Sequence, residues 1–264
     1  MNDWTLLLGV TITIHFVFFL GWIAACKLDN YSIVDALWAY GIVIAGFALI
    51  HSGEGDFHKR VLGFLITLIW GTRLGNHLLK RIRKHHPVED VRYQKLREVW
   101  RGREASSFFW FFQAQALSVL VLALPFFFIG RDLSPWGIFE TIGFAVAILG
   151  IFGESLADHQ LAQFVSEAKD PKAVCQTGLW RYSRHPNYFF EMVIWIGIFL
   201  FACGSKYGWA TIYAPAIITY LLLKVTGIPP AEASSIKRRG DAYRDYQRIT
   251  SPFIPLPPRT PKKS

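Results

Sequence analysis

Long apolar runs separated by short charged connections dominate the chain, and they predict helices that cross a membrane. Trp4 to Cys26 is a 23-residue run without a formal charge, long enough to cross a hydrocarbon core of about 30 Å at about 1.5 Å per residue. No basic segment precedes it, so it is expected to be a retained first helix and not a secretory leader. Tyr31 to Ile50 gives a second helix with Asp35 near its start, and Val61 to about Leu79 a third. Ser106 to Ile129 is the fourth, Leu133 to Gly153 the fifth, Tyr188 to Cys203 the sixth and Tyr207 to Leu223 the seventh. From Pro229 onward the pattern turns polar, which predicts a short helix and then a Pro-rich extended end.

The expected architecture is therefore all-α, a polytopic membrane protein of about seven transmembrane helices forming a single membrane domain over 1–264, with 229–264 as a tail. Its orientation follows from the basic residues of the short connections. Lys80 to Arg103 is the most basic connection, and Asp158 to Asn187 and the tail are also basic. The second, fourth and sixth connections hold only Lys59 and Arg60, Arg131, and Lys206 respectively. This asymmetry predicts an outside N-terminus and a cytoplasmic C-terminus, in a bacterial inner membrane or the endoplasmic reticulum.

Composition supports this picture. Fifty-two per cent of residues are hydrophobic and 16% aromatic, values of a membrane protein. The net charge is +9, from 28 Lys+Arg against 19 Asp+Glu, which suits anionic lipid headgroups or a phosphate-bearing ligand. No nucleic-acid reading motif accompanies the basic residues. The three cysteines, Cys26, Cys175 and Cys203, are scattered and odd in number, matching neither a disulfide framework nor a zinc site. No clustered histidine set points to a metal. No Gly-rich fingerprint follows a strand.

The chemistry concentrates in Gly178 to Glu191, a polar cluster that runs straight into an apolar segment. Ionisable groups at the mouth of a spanning helix are costly unless they meet partners or a polar ligand. Pro186 suits the first turn of a helix, and Asn187 and Glu191 then share a face. An ordinary juxtamembrane basic loop is the plain alternative for Arg181 and Arg184. Upstream, Glu154 and Asp158 lie one turn apart at the end of the fifth helix, where solvation alone could explain them. Arg73, His77 and Arg81 share one face of the third helix. On the tail, Glu232, Arg239, Tyr243, Arg244 and Tyr246 fit a solvated amphipathic helix.

The run Gly-Leu-Trp-Arg-Tyr-Ser-Arg-His-Pro-Asn-Tyr (178–188), with Glu191 three residues on and the tail's Tyr243, Tyr246 and Phe253-Ile254-Pro255, resembles the DUF1295 family. That family is related to the C-terminal domain of steroid 5-alpha-reductases, and more distantly to sterol reductases and isoprenylcysteine methyltransferases. The likeness covers about 35–257, and Phe190 departs from it where relatives often carry Gly.

The resemblance implies NADPH-dependent reduction of a carbon–carbon double bond in a lipid or steroid-like substrate. Glu154, Asp158, Gln160, Arg181, Arg184, His185, Asn187, Tyr188, Arg239, Tyr243 and Tyr246 would bind the cofactor. Asp35, Arg73 and Glu191 are the candidate catalytic residues, with Glu191 orienting Asn187 or the nicotinamide amide. In the reductases a Tyr that polarises the substrate carbonyl stands near the counterpart of Arg73; here the nearby aromatic is Trp70. Two alternatives stand beside this reading: an S-adenosylmethionine-dependent membrane methyltransferase, and a lipid-binding membrane protein without catalysis.

Overall fold

The computed structural model describes residues 2–170 and 172–259. Its regular structure is helical, and the β-pairing among the described residues is one isolated parallel bridge between Ser183 and Ser251. The chain divides into two compact units, Met1–Phe144 with Leu200–Thr211, and Ala145–Phe199 with Ile212–Ser264.

The first unit is built on α1 (Asp3–Leu28), α2 (Ile33–His51), α3 (Phe57–His85), α4 (Val91–Val99) and α5 (Glu104–Ile129). α2 packs against α1, α3 and α5, and small residues allow the approach. A Cβ on Gly46 would meet the Thr67 methyl and the Phe126 ring, each at 3.2 Å, and one on Gly75 would enter the Tyr40 ring. α4 lies in the basic connection that the apolar pattern leaves as a loop. Asp90 caps it by accepting from the Arg92 amide at 3.0 Å, and its Tyr93 is buried. At the start of α3, Lys59 is 1% exposed and ion-paired with Asp132 and, at 2.6 Å, with Glu140. Its ammonium also donates to the Ser134 hydroxyl at 2.9 Å. A buried ammonium survives only with such partners.

The second unit takes in most of α6 (Ile138–Glu167) and α7 (Pro186–Ala202), with α8 (Tyr213–Tyr220), α9 (Ile228–Arg239) and α10 (Asp241–Ile249). α6 does not stop near Gly153 as the apolar run predicts; it continues to Glu167, so Glu154, Asp158 and Gln160 are helix-borne. The seventh apolar run is not one continuous α-helix. It is a 3-10 segment, Gly208–Ile212, then α8, then a π-turn, Leu221–Val225, in which the Thr226 amide bonds the Leu221 carbonyl at 2.8 Å. The tail forms two helices, α9 and α10, where one was expected.

Five helical segments are long and apolar enough to cross a membrane: α1, α2, α5, α6 and the composite Gly208–Arg239. This makes the chain an integral membrane protein. α7 is apolar but has 17 residues, so it spans about 25 Å. α3 is long but carries a charged face at its C-terminal end, with Arg83, Lys84 and His85 in its last turn.

Candidate functional site

In the second unit the site begins with close packing of α6 and α7. A Cβ on Gly150 would lie 2.8 Å from the Ile194 amide, and one on Gly153 would enter the Phe190 ring. This accounts for the departure at Phe190: its ring occupies the space that Gly153 leaves by lacking a side chain. Gly178, with φ of +56° in the left-handed region that glycine adopts freely, starts a 3-10 turn, Gly178–Arg181. The turn docks on α6 through two bonds, the Leu179 amide to Gln160 Oε1 and the Trp180 indole N–H to the Ala157 carbonyl, both at 2.9 Å. Ser183 Oγ then accepts from the His185 amide at 3.1 Å, and the His185 carbonyl accepts from the Phe189 amide at 3.1 Å to open α7. Pro186 as first helical residue matches the expectation.

These elements bring Glu154, Asp158, Asn187 and Glu191 onto two facing helices. Asn187 Nδ2 donates to Asp158 Oδ1 at 3.3 Å. Glu191, expected to pair with Asn187, instead accepts the Trp195 indole N–H at 3.0 Å and is buried; the i+4 Trp takes the place that the helical spacing allotted to Asn187. Asn187 Oδ1 is buried and accepts no hydrogen bond. An amide oxygen held away from water without a donor costs about 1–3 kcal/mol, so it marks a position where a ligand N–H would be stabilised. Tyr188 stacks on the His185 ring at 5.3 Å, with the rings 4° from parallel.

Arg184, His185 and Tyr246 hold the tail, and Tyr243 packs edge-on against Tyr246. Arg184 presents Nε and Nη2 to Glu232 Oε1, each at 2.7 Å. Its Nη1 donates to the carbonyls of Gln247 at 3.1 Å and Thr250 at 2.6 Å. His185 Nε2 lies 3.4 Å from the same Glu232 oxygen, and Gln247 Nε2 donates to Oε2 at 2.8 Å. Glu232, which the sequence offers only as part of a solvated helix face, is thus the acceptor at which three side chains converge. Tyr246 donates to the carbonyls of Trp180 and, at 3.1 Å, Ser183. Ser183 Oγ donates to the Phe253 carbonyl at 2.7 Å, and the Leu256 amide bonds the Tyr182 carbonyl at 3.0 Å. Burial pushes the Tyr243 phenol up to about 12 and Tyr246 higher still, so both stay protonated at physiological pH, and Tyr246 serves as a donor. Arg181 is exposed. Arg239 donates Nε to the Ala173 carbonyl at 2.8 Å.

Asp35 and Arg73 belong to the first unit. Asp35 pairs with Arg92 Nη2 at 2.6 Å and accepts the Tyr93 hydroxyl at 2.6 Å. Burial, and then the neighbouring Asp35 carboxylate, push the Tyr93 phenol well above its usual value. Trp70 is fully buried and meets Trp38 edge-on at 6.3 Å. Tyr93, the buried hydroxyl on Asp35, lies on α4, which no apolar pattern could flag because that helix is polar and short.

Apolar helices of membrane-crossing length and a polar constellation carried by two closely packed helices, with a C-terminal strap bonded to the loop between them, define the class: a polytopic helical membrane protein with a built polar site. Over residues 21–250 the chain matches the family described as "Protein of unknown function (DUF1295)", and it belongs to that family. It is similar to "Uncharacterized protein C594.04c" of Schizosaccharomyces pombe, with 27% identity over 224 residues covering 73% of this chain and 64% of the yeast protein. The chain therefore spans less than two thirds of that relative's length. No solved structure matches it.

Proposed function

We propose that the chain is a membrane-embedded reductase that uses NADPH to reduce a carbon–carbon double bond in a lipid or steroid-like substrate. The observation that supports this best is the buried, unbonded Oδ1 of Asn187, the acceptor that a nicotinamide carboxamide N–H would satisfy. Glu154 and Asp158, on the facing helix, suit ribose hydroxyls, since carboxylates accept hydroxyl hydrogen bonds. Glu191, fixed by Trp195, closes the same helix face. Arg181 is the cation open to a phosphate. Bound NADPH supplies the hydride; the residues named here bind and orient it, and the apolar helices exclude water.

In this reading Arg184 and Tyr246 act on the cofactor indirectly, by holding the tail against the 178–185 segment, and Tyr243 acts through its packing on Tyr246. Titration of the full chain in neutral detergent with NADPH and NADH, followed by nicotinamide fluorescence at two ionic strengths, tests it. NADPH is expected to bind at least about tenfold tighter, because Arg meets a phosphate more strongly than a hydroxyl. The difference shrinks as salt rises, and Asn187→Ala weakens both nicotinamides. Equal affinities, or an Asn187→Ala variant with wild-type affinity, would overturn the proposal.

One observation favours the second reading, methyl transfer from S-adenosylmethionine. The Arg184 guanidinium is spent on Glu232 and two carbonyls, which leaves fewer cations for a dinucleotide than for a zwitterionic methyl donor. Binding of S-adenosylmethionine with neither nicotinamide bound would establish it.

The reading includes seven passages, with α3 and α7 completing the five, an outside N-terminus and a cytoplasmic tail. Cys175 is buried, so it is a poor reporter of sidedness. A cysteine introduced at exposed Arg244, in a background lacking the native cysteines, should take an impermeant maleimide from the cytoplasmic face. Labelling from the opposite face would reverse the topology.

A further inference from the structure

Beside the strap lies a groove of about 610 Å³ whose lining includes Lys172, Lys237, Arg238, Arg239, Gly240 and Asp241. The end of α9, the start of α10 and the loop after α6 meet there, all within the second unit. Four of its lining side chains are cationic and two, Asp170 and Asp241, are anionic. Both carboxylates are already engaged. Asp170 Oδ1 accepts the Lys172 amide at 2.8 Å, and Asp241 Oδ1 accepts Arg244 Nη1 at 3.2 Å.

The cations are not engaged in the same way. Among the described residues no carboxylate forms an ion pair with Lys172, Lys237, Arg238 or Arg239, whereas Arg244 and Arg248, on the next helix, each have one. Arg239 is half-buried, and its one hydrogen bond, Nε to the Ala173 carbonyl, holds the guanidinium in the groove wall while its two Nη atoms take no side-chain acceptor. Gathering a half-buried guanidinium with three further cations costs mutual repulsion, which an opposite charge removes. At the same place α9 ends and α10 begins, both at Gly240, so their opposed helix ends offset and the side-chain cations set the field.

We infer that this groove is an anion site for a phosphate group. Arg239 offers a paired donor edge of the kind that meets two phosphate oxygens, Lys172, Lys237 and Arg238 supply charge, and the volume admits the group to which the phosphate is attached, since ligand pockets run from roughly 300 to 1,000 Å³. Two sources carry this chemistry, an anionic phospholipid headgroup and a soluble phosphate compound. The Asn187 constellation contributes none of the lining residues; Arg239 alone is shared with the set that the family resemblance assigns to the cofactor, and the inference stands on the groove's own charges.

The test uses the full chain in a neutral detergent. Microscale thermophoresis follows titration with inorganic phosphate in one arm, and with phosphatidylglycerol or phosphatidylcholine doped into the micelles in the other. The variant Lys172→Gln/Lys237→Gln/Arg238→Gln changes only exposed side chains and leaves Arg239 and its bond to Ala173 in place. Arg244→Gln is the control for general charge. Phosphatidylglycerol bound in preference to phosphatidylcholine, and weakened about tenfold or more in the triple variant, identifies the lipid source, each basic group near an anionic headgroup being worth close to a factor of five. Phosphate bound by the wild type and lost in the variant, with no preference between lipids, identifies a soluble one. Binding of neither probe, or an equal loss in Arg244→Gln, overturns the inference. Neither arm contains a nicotinamide, so failure here leaves the reductase reading untouched, and the reverse holds as well.

Discussion

Glu232 is the residue on which the tail's attachment should depend most. In Glu232→Ala, Arg184 loses the acceptor of its Nε and Nη2 and keeps only the carbonyls of Gln247 and Thr250. The Arg184 side chain is 9% exposed and the Glu232 side chain 17%, so the stranded guanidinium is largely out of water. Breaking a fully buried pair by removing one partner costs about 3–5 kcal/mol. Partial exposure of the carboxylate brings the expectation down to about 2–3 kcal/mol, the range of a hydrogen bond to a charged group. Glu232→Gln, which keeps one acceptor oxygen, should lose about half as much. The assay is tryptic cleavage at Arg244 and Arg248, exposed positions on α10 that become cleavable when the strap opens. Where opening and closing are fast, the cleavage rate follows the opening equilibrium. The Ala variant should then be cut about 30- to 140-fold faster, at about 1.4 kcal/mol per factor of ten. Removing both partners in Arg184→Met/Glu232→Ala should be less harmful than the sum of the single changes, with a coupling of about 1–3 kcal/mol. A Glu232→Ala rate within twofold of wild type, or single effects that simply add, would refute the argument.

Gly153→Ala should lower the apparent melting midpoint through about 1–3 kcal/mol of overpacking against the Phe190 ring, and should be nearly neutral in a Phe190→Gly background; a loss of equal size in both backgrounds would separate the two positions. The guanidinium groups of Arg92 and Arg81, outweighing the effect of burial, hold the Asp90 carboxyl below its ordinary 3.8. A depressed folded value contributes stability that is complete above the unfolded pKa and is lost as pH falls through the folded one, so wild type should lose stability below about pH 4 more steeply than Asp90→Asn in an acid titration of the melting midpoint. Lys59→Met leaves Asp132 and Glu140 buried without their cation and should cost about 3–5 kcal/mol, whereas Glu140→Gln retains one carboxylate for one ammonium and should be mild; equal yields of monodisperse protein in size-exclusion chromatography would contradict this.

What was legible in the sequence follows from the range of the interactions involved. α1, α2 and α5 lie where their apolar runs place them, because in a membrane a long uncharged run leaves a backbone no alternative to internal hydrogen bonding. The opening of α7 at Pro186 is local, and the sequence alone points to it. α4 was not legible, since its packing rests on Tyr93 and Arg92 meeting Asp35 from a distant part of the chain. The end of α6 was misplaced for a related reason. The apolar run stops near Gly153, but the helix goes on, because the 3-10 turn docks on Ala157 and Gln160 and supports another stretch of it.

The same contrast explains why the site set changes in role more than in membership. Arg184 and Tyr246 look, one by one, like groups waiting for a ligand, Glu232 looks like part of a solvated helix face, and helical spacing pairs Asn187 with Glu191. In the fold Arg184 and Glu232 satisfy each other across the loop and the tail, Tyr246 donates to the Trp180 and Ser183 carbonyls, and Trp195 takes Glu191. Asn187 Oδ1 is left without a donor between helices that already hold the carboxylates of Glu154, Asp158 and Glu191. Burying an acceptor is costly, and here the surrounding packing is tight enough that Gly153 must lack a side chain for Phe190 to fit. A position made rigid in this way keeps its acceptor in place before any ligand arrives, and such preorganisation lowers the ordering cost of binding. The strap contributes in the same sense, since its bonds fall on Trp180, Ser183 and Arg184, the residues that lead directly into Asn187. Loosening it at Glu232 should therefore weaken ligand binding at Asn187 without touching any ligand contact.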